Sequence, residues 1–263
     1  MGKRTISSII LSVLAFFAVV YYPLCGIVVT AFIVIALYEF FYMVEKKGVR
    51  LFKLFGIFIG GLIPISIYYR FNVEESLQFL FVVFGLFILF LLELLKRENH
   101  QPIISISATI FGIIYISWCF SFLIRIRQLP QGIALLSFLL LVTKSSDVGA
   151  YFWGVRYGKT YLARRVSPKK SLEGAIGGFL TSFFIGIIFS IFVKGLLYWE
   201  KIFIIIVIAI ISQLGDLFES LIKRDCQVKD SGKLFPGMGG VLDVIDSLIF
   251  TAPTFYLYIT MMR

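Results

Sequence analysis

Near its C-terminal end the chain sets carboxylates and cations at spacings suited to binding a phosphorylated substrate. Asp216, Ser220 and Lys223 follow one another at i, i+4 and i+7, so a helix presents them on one face. At 1.5 Å rise per residue, Asp216 lies about 10 Å below Lys223. An aspartate at that depth in apolar sequence needs a partner cation or a water-filled pocket. The plainer outcome is an internal salt bridge with a lysine. The functional outcome is a hard-metal ligand, because Mg2+ takes one or two carboxylates together with substrate phosphates. Further on, Gly237-Met238-Gly239-Gly240 precedes Asp243 and Asp246. Glycines permit close backbone approach, and a helix starting there aims its N-terminal amides at anions such as phosphate. Asp243 and Asp246 share the first turn of that helix. Capping alone accounts for one acid there, and less well for a D-x-x-D joined to Asp216.

Cations crowd the same stretch: Lys223, Arg224, Lys229 and Lys233. Their plainer reading, and that of Lys169 and Lys170, is anchoring at the membrane surface. Against it, Ser167-Pro168-Lys169-Lys170-Ser171-Leu172-Glu173-Gly174 places turn residues on both sides of a lysine pair, a constrained basic loop that suits phosphate. Asp147 follows Lys144 by three residues, and the two either pair or face a site.

The elements that must position these residues are membrane-spanning. Of 263 residues, 59% are hydrophobic and 15% charged, against about 45–50% and about 25% in a soluble domain. We expect an all-α polytopic integral membrane protein of about nine transmembrane helices, near 6–22, 24–44, 51–69, 77–95, 103–124, 132–155, 175–198, 202–222 and 241–261. Each is close to the ~20 residues that cross the hydrocarbon core. Pro23 is expected to make the first turn. Residues 1–263 are expected to form a single transmembrane catalytic domain, with helices in 1–130 and the active site in 131–263. Cys25, Cys119 and Cys226 show no paired spacing and read as free thiols. His100 reads as a solvated loop side chain. Of the 25 Lys and Arg, 18 fall in loops on the N-terminal side, 6 on the other, and Lys144 lies within a span. This places the N-terminus, the 156–171 loop and the 220–240 loop in the cytoplasm. The net charge of +10 therefore reflects topology and an anionic membrane surface, with no nucleic-acid partner expected.

The run Ser220, Lys223, Arg224, Lys229, Asp230, Gly232, Pro236, Gly237, Gly239, Gly240, Asp243 and Asp246 resembles the signature of the phosphatidate cytidylyltransferases, or CDP-diacylglycerol synthases. The D-x-G-A-Y at 147–151, G-K at 158–159, S-P-K-K-S-x-E-G at 167–174 and G-D-x-x-E-S at 215–220 are similar too. Two positions depart from the pattern: Met238, where the family commonly has His, and Val244, where it has Arg. The resemblance implies a Mg2+-dependent nucleotidyltransferase of phospholipid biosynthesis in the inner (plasma) membrane. It would act on CTP and phosphatidic acid, among membrane lipids, with a homodimer compatible. Asp216, Lys223, Asp243 and Asp246 would be catalytic, the three aspartates also holding Mg2+, alone or with a second cation. Ser167, Lys169, Lys170, Ser220, Arg224, Lys229, Asp230, Gly239 and Gly240 would contact substrate. Two other readings remain at this point: a polyprenol kinase-like lipid kinase, and an ion-coupled transporter using Asp147 and Asp216.

Overall fold

The computed structural model describes residues 2–71, 75–95 and 101–262. Lys96, Arg97, His100 and Arg263, used above in the charge count or as a loop residue, lie outside these. In lipid an apolar segment must satisfy its own backbone groups, so the long apolar runs close as helices. In chain order these are α1 (Gly2–Val20), α2 (Tyr22–Glu45), α3 (Lys53–Tyr68), α4 (Glu75–Leu94), α5 (Pro102–Gly112), α6 (Cys119–Gln128), α7 (Gly132–Tyr157), α8 (Leu172–Phe189), α9 (Tyr198–Asp225) and α10 (Val241–Met261). A π-helical turn over Ile113–Trp118 joins α5 and α6 into one rod. Among the described residues six rods are long and apolar enough to cross a membrane, and three shorter apolar helices, Arg4–Val20, Lys53–Tyr68 and Leu80–Leu94, accompany them.

Three expectations change. Pro23 makes no turn: it sits in the first turn of α2, where its missing N–H leaves no bond unmade. The seventh apolar run ends earlier than 198. α8 stops at Phe189, a single 3-10 turn covers Ser190–Phe192, and Gly195 reverses the chain at φ 87°. Val193, Leu196 and Leu197 kept that reversal apolar and hid it from a hydropathy reading. The basic loop after α7 is a hairpin. Strands β1 (Tyr161–Ala163) and β2 (Ser167–Ser171) run antiparallel, with Tyr161 opposite Ser171 and Ala163 opposite Ser167.

The core is shared by α2, α6, α7, α9 and α10, where Ile33, Leu37, Phe41, Ile124, Leu139 and Phe255 are fully buried. α7 and α8 approach through small residues, as membrane helices do when no solvent drives them together. A Cβ on Gly178 would stand 2.7 Å from the Ser146 carbonyl oxygen. Ser171 caps α8 by accepting from the Gly174 N–H at 3.1 Å. The Glu173 carboxylate accepts from the Lys159 and Thr160 amides at 3.0 and 3.1 Å, holding the start of the hairpin. The close α7–α8 pair thus carries the hairpin as a rigid attachment. Cys25, Cys119 and Cys226 are free thiols, and burial pushes the Cys226 thiol up from its ordinary value.

Candidate active site

One end of the bundle gathers the charge-rich segments. Lys47, after α2, pairs with Asp225 at 2.6 Å. The Arg224 guanidinium donates from Nε to the Val166 carbonyl at 3.2 Å and from Nη1 to that of Val228 at 3.3 Å, tying the hairpin to the end of α9. Lys170 of β2 reaches Asp216 of α9, Nζ to Oδ2 at 2.6 Å, with both side chains about one-third exposed. The hairpin lysine and the aspartate 46 residues later therefore belong to one site. Lys169 is exposed beside it, Ser167 is half-buried at the start of β2, and Ser220 is buried on α9.

A second ion cluster lies nearby. Lys223 contacts Glu219 one turn before it on α9, and its Nζ donates to Asp243 Oδ1 at 2.6 Å. The side chains are 12%, 0% and 7% exposed respectively, so the three form a buried ion set rather than a solvated surface bridge. The other Asp243 oxygen, Oδ2, accepts from the Ser231 N–H at 2.8 Å, the Ser231 hydroxyl at 2.7 Å and the Gly240 N–H at 2.8 Å. Asp243 is thus the hinge of the loop between α9 and α10. Gly239 must be glycine here: its φ is 104°, and a Cβ would fall 2.4 Å from Asp243 Oδ2.

The phosphate cradle expected at the start of α10 is filled by the protein itself. The Gly240 amide is taken by Asp243, and the amides of Val241 and Leu242 donate to Glu39 of α2 at 3.0 and 2.9 Å. A helix N-terminus accepts anions without distinguishing phosphate from carboxylate, and here two carboxylates occupy it. Gly239 and Gly240, expected to contact substrate, shape the loop around Asp243. Lys229 and Asp230 lie exposed on the same loop.

Asp246 is 7% exposed and lies against α9. Gly215 permits the crossing, since a Cβ there would meet the Asp246 carbonyl oxygen at 2.9 Å. Asp246 consequently feels the charges of Asp216, Lys144, Asp147 and Glu219. Lys144 and Asp147 do pair, at 3.1 Å, and Lys144 also donates to the Val244 carbonyl at 2.9 Å and the Ser247 hydroxyl at 3.0 Å. A cation from α7 therefore stands at Val244, where the sequence pattern lacks its arginine. At the other departure, the Ser8 hydroxyl of α1 meets the Met238 sulfur at 3.6 Å.

The donors suit a hard divalent cation, being carboxylate oxygens throughout. Fully buried Glu219 has the Lys223 ammonium against its Oε2, and its Oε1 meets no donor among the described residues. The expected cage of Asp216, Asp243 and Asp246 is not assembled: among the described residues no three acidic, His or Cys groups converge on one point. Asp216 and Asp243 instead each hold a lysine, and Mg2+ needs only one or two carboxylates when substrate phosphates complete its shell. The sequence reading passed over Glu39 and gave Glu219 no role. The available signal for each was an acid inside an apolar helix.

A profile of the cytidylyltransferase family matches residues 2–262. Phosphatidate cytidylyltransferase of Bacillus subtilis is 30% identical over 259 residues, covering 97% of this chain and 96% of that one. The protein of that name from Thermotoga maritima is 35% identical over 244 residues, covering 90% and 87%. That from Synechocystis is 29% identical over 293 residues, covering 99% and 97%.

Proposed function

Since the chain belongs to the cytidylyltransferase family, we propose that it transfers CMP from CTP to phosphatidic acid, giving CDP-diacylglycerol and pyrophosphate. The observation that carries this reading is the Lys170–Asp216 contact, which joins the basic hairpin to the acidic helix within a chain matched along its whole length. The lipid-kinase and transporter readings fall away with that match.

In the reaction a phosphatidate oxygen forms a bond to the α-phosphorus of CTP while the bond to the bridging oxygen of pyrophosphate breaks. The nucleophile is already ionised at neutral pH, so no general base is required. The site must neutralise charge and align the two phosphates. Lys169 and Lys170 present cations on a stiff hairpin, and Lys223, Arg224 and Lys229 line the facing end of α9 and its loop. Lys170, held by Asp216, would exchange that carboxylate for a phosphate oxygen of the triphosphate. Asp216 and Asp243 would hold Mg2+, with Glu219 and Asp246 behind them. The ion would supply positive charge to the triphosphate. Acyl chains stay in the bilayer and CTP enters from water. The 18-to-6 distribution of basic residues supports a multi-pass protein of the inner membrane with this end in the cytoplasm.

The test is purified protein in mixed micelles with labelled CTP, phosphatidic acid and Mg2+. A labelled lipid is expected with CTP, none with ATP, and none when EDTA replaces Mg2+. Lipid phosphorylation from ATP without any CDP-lipid from CTP would overturn the assignment.

A further inference from the structure

Glu39 is an acid within the apolar helix α2, far in sequence from the residues discussed above. It is 7% exposed. Its Oε1 accepts from the Val241 amide at 3.0 Å, and its Oε2 accepts from the Leu242 amide at 2.9 Å and the Ser231 hydroxyl at 3.1 Å. The same hydroxyl lies 2.7 Å from Asp243 Oδ2, so one proton is shared between two carboxylates. The loop fits around Glu39 through two glycines. A Cβ at Gly232 would stand 2.3 Å from one carboxylate oxygen, and one at Gly240 would stand 2.4 Å from the other.

We propose that Glu39 is a positioning residue for the reaction above, fixing the start of α10 and, through Ser231, the orientation of Asp243; the proposal rests on the reading of Asp243 as part of the active site. Two orphan N–H groups at a helix start need two acceptor oxygens in fixed places. A glutamate on α2, the helix beside α10, supplies both. A glutamine would turn an NH2 toward one of those donors, and an aspartate falls one methylene short. The loop is thereby closed before any substrate binds, with Asp243 aimed in advance, which is the arrangement that spares reorganisation during turnover. The helix N-terminus is spent on this internal anion, so substrate phosphates fall to the lysines.

The test compares Glu39→Gln, Ser231→Ala and the double variant with wild type in lipid nanodiscs. Amide hydrogen exchange reads the loop and steady-state kinetics read the reaction. Glu39→Gln is expected to speed exchange in the 231–243 segment and leave the other helices protected. It should lower kcat by up to about a hundredfold, the penalty of a slightly misplaced reacting group, with the KM for CTP within about twofold of wild type. The double variant should lose little more than the worse single one, as members of one network do. Glu45→Gln, on the same helix but paired with Lys53 at 2.5 Å, should match wild type. Unchanged exchange in 231–243 overturns the proposal, as does wild-type kcat per folded molecule in Glu39→Gln. Were Glu39→Gln not to fold, Ser231→Ala, which keeps both Glu39–amide bonds, gives the same two readouts. A wild-type protein that forms no CDP-lipid would end the proposed reaction, while the exchange data would still decide the role of Glu39.

Discussion

Replacing Asp243 by Asn changes two things that the structure allows to be separated. Judged from sequence, the substitution relieves a buried charge and spares the fold. The geometry says otherwise, because Asp243 already has its counter-ion. Asn can keep its oxygen toward Ser231 and Gly240, but its NH2 then faces the Lys223 ammonium, and a 2.6 Å charge-assisted bond between side chains 12% and 7% exposed is lost. Such bonds contribute about 1.5–3 kcal/mol. Glu219 still faces Lys223, so the ammonium is not stranded, and the cost stays below the ~3–5 kcal/mol of an abandoned buried charge. A loss of ~2 kcal/mol lowers Tm by roughly 4–8 °C for a chain of this size. Turnover should fall further than stability, by at least about a hundredfold, as when one group stabilising transition-state charge is removed. The assay is initial rate at saturating CTP against Mg2+ concentration, beside thermal unfolding in the same detergent. Lys223→Gln should lower Tm further, since it takes the ammonium from Asp243 and from the fully buried Glu219 together. A wild-type Tm for Asp243→Asn would refute the ion-set reasoning, and a wild-type rate with unaltered Mg2+ dependence would refute its place in the reaction.

Other expectations follow from contacts at the same end of the bundle. Lys170→Met, which leaves Asp216 without its 2.6 Å partner, should reduce turnover more than Lys169→Met, as measured by initial rates with CTP and phosphatidic acid. Asp225→Asn should leave rate unchanged and stability within about 0.5 kcal/mol, because its bond to Lys47 joins side chains 68% and 37% exposed and surface pairs contribute little. Cysteines placed beside Lys170 and Lys229 should react with an impermeant thiol reagent from the same side of sealed vesicles. Reaction from opposite sides would contradict the shared end seen here.

Much of the architecture could be read from the order of the residues, since a membrane leaves an apolar run few options other than a helix. The face shared by Asp216, Ser220 and Lys223 could be read for the same reason, being local to one helix. What escaped depended on distance in sequence. Nothing about Glu39 in isolation says that it meets residues about 200 positions later, and nothing about Lys170 says that Asp216 will be its partner. The start of α10 was recognised as an anion site, but the Glu39 carboxylate that reaches its amides arrives from another helix and was not legible there. The hairpin was seen only as a constrained basic loop, since strands of three and five residues carry too little alternation to show a period. The apolar reversal near Gly195 escaped because hydropathy measures lipid preference and is blind to chain direction.

The lysines standing on Asp216, Glu219 and Asp243 have a consequence for how the protein is made. Carboxylates entering a bilayer alone would have to await a divalent ion from solution or remain protonated. Here each lies against an ammonium of the same polypeptide, with Lys170 on Asp216 and Lys223 shared by Glu219 and Asp243, so the bundle can be inserted and matured with most of that charge offset whatever the supply of free metal. Small metallo-domains differ, because their fold itself is driven by metal binding and chelators denature them. For this chain, chelation should act as a reversible switch on an intact bundle, and activity should return on adding the ion back, without refolding.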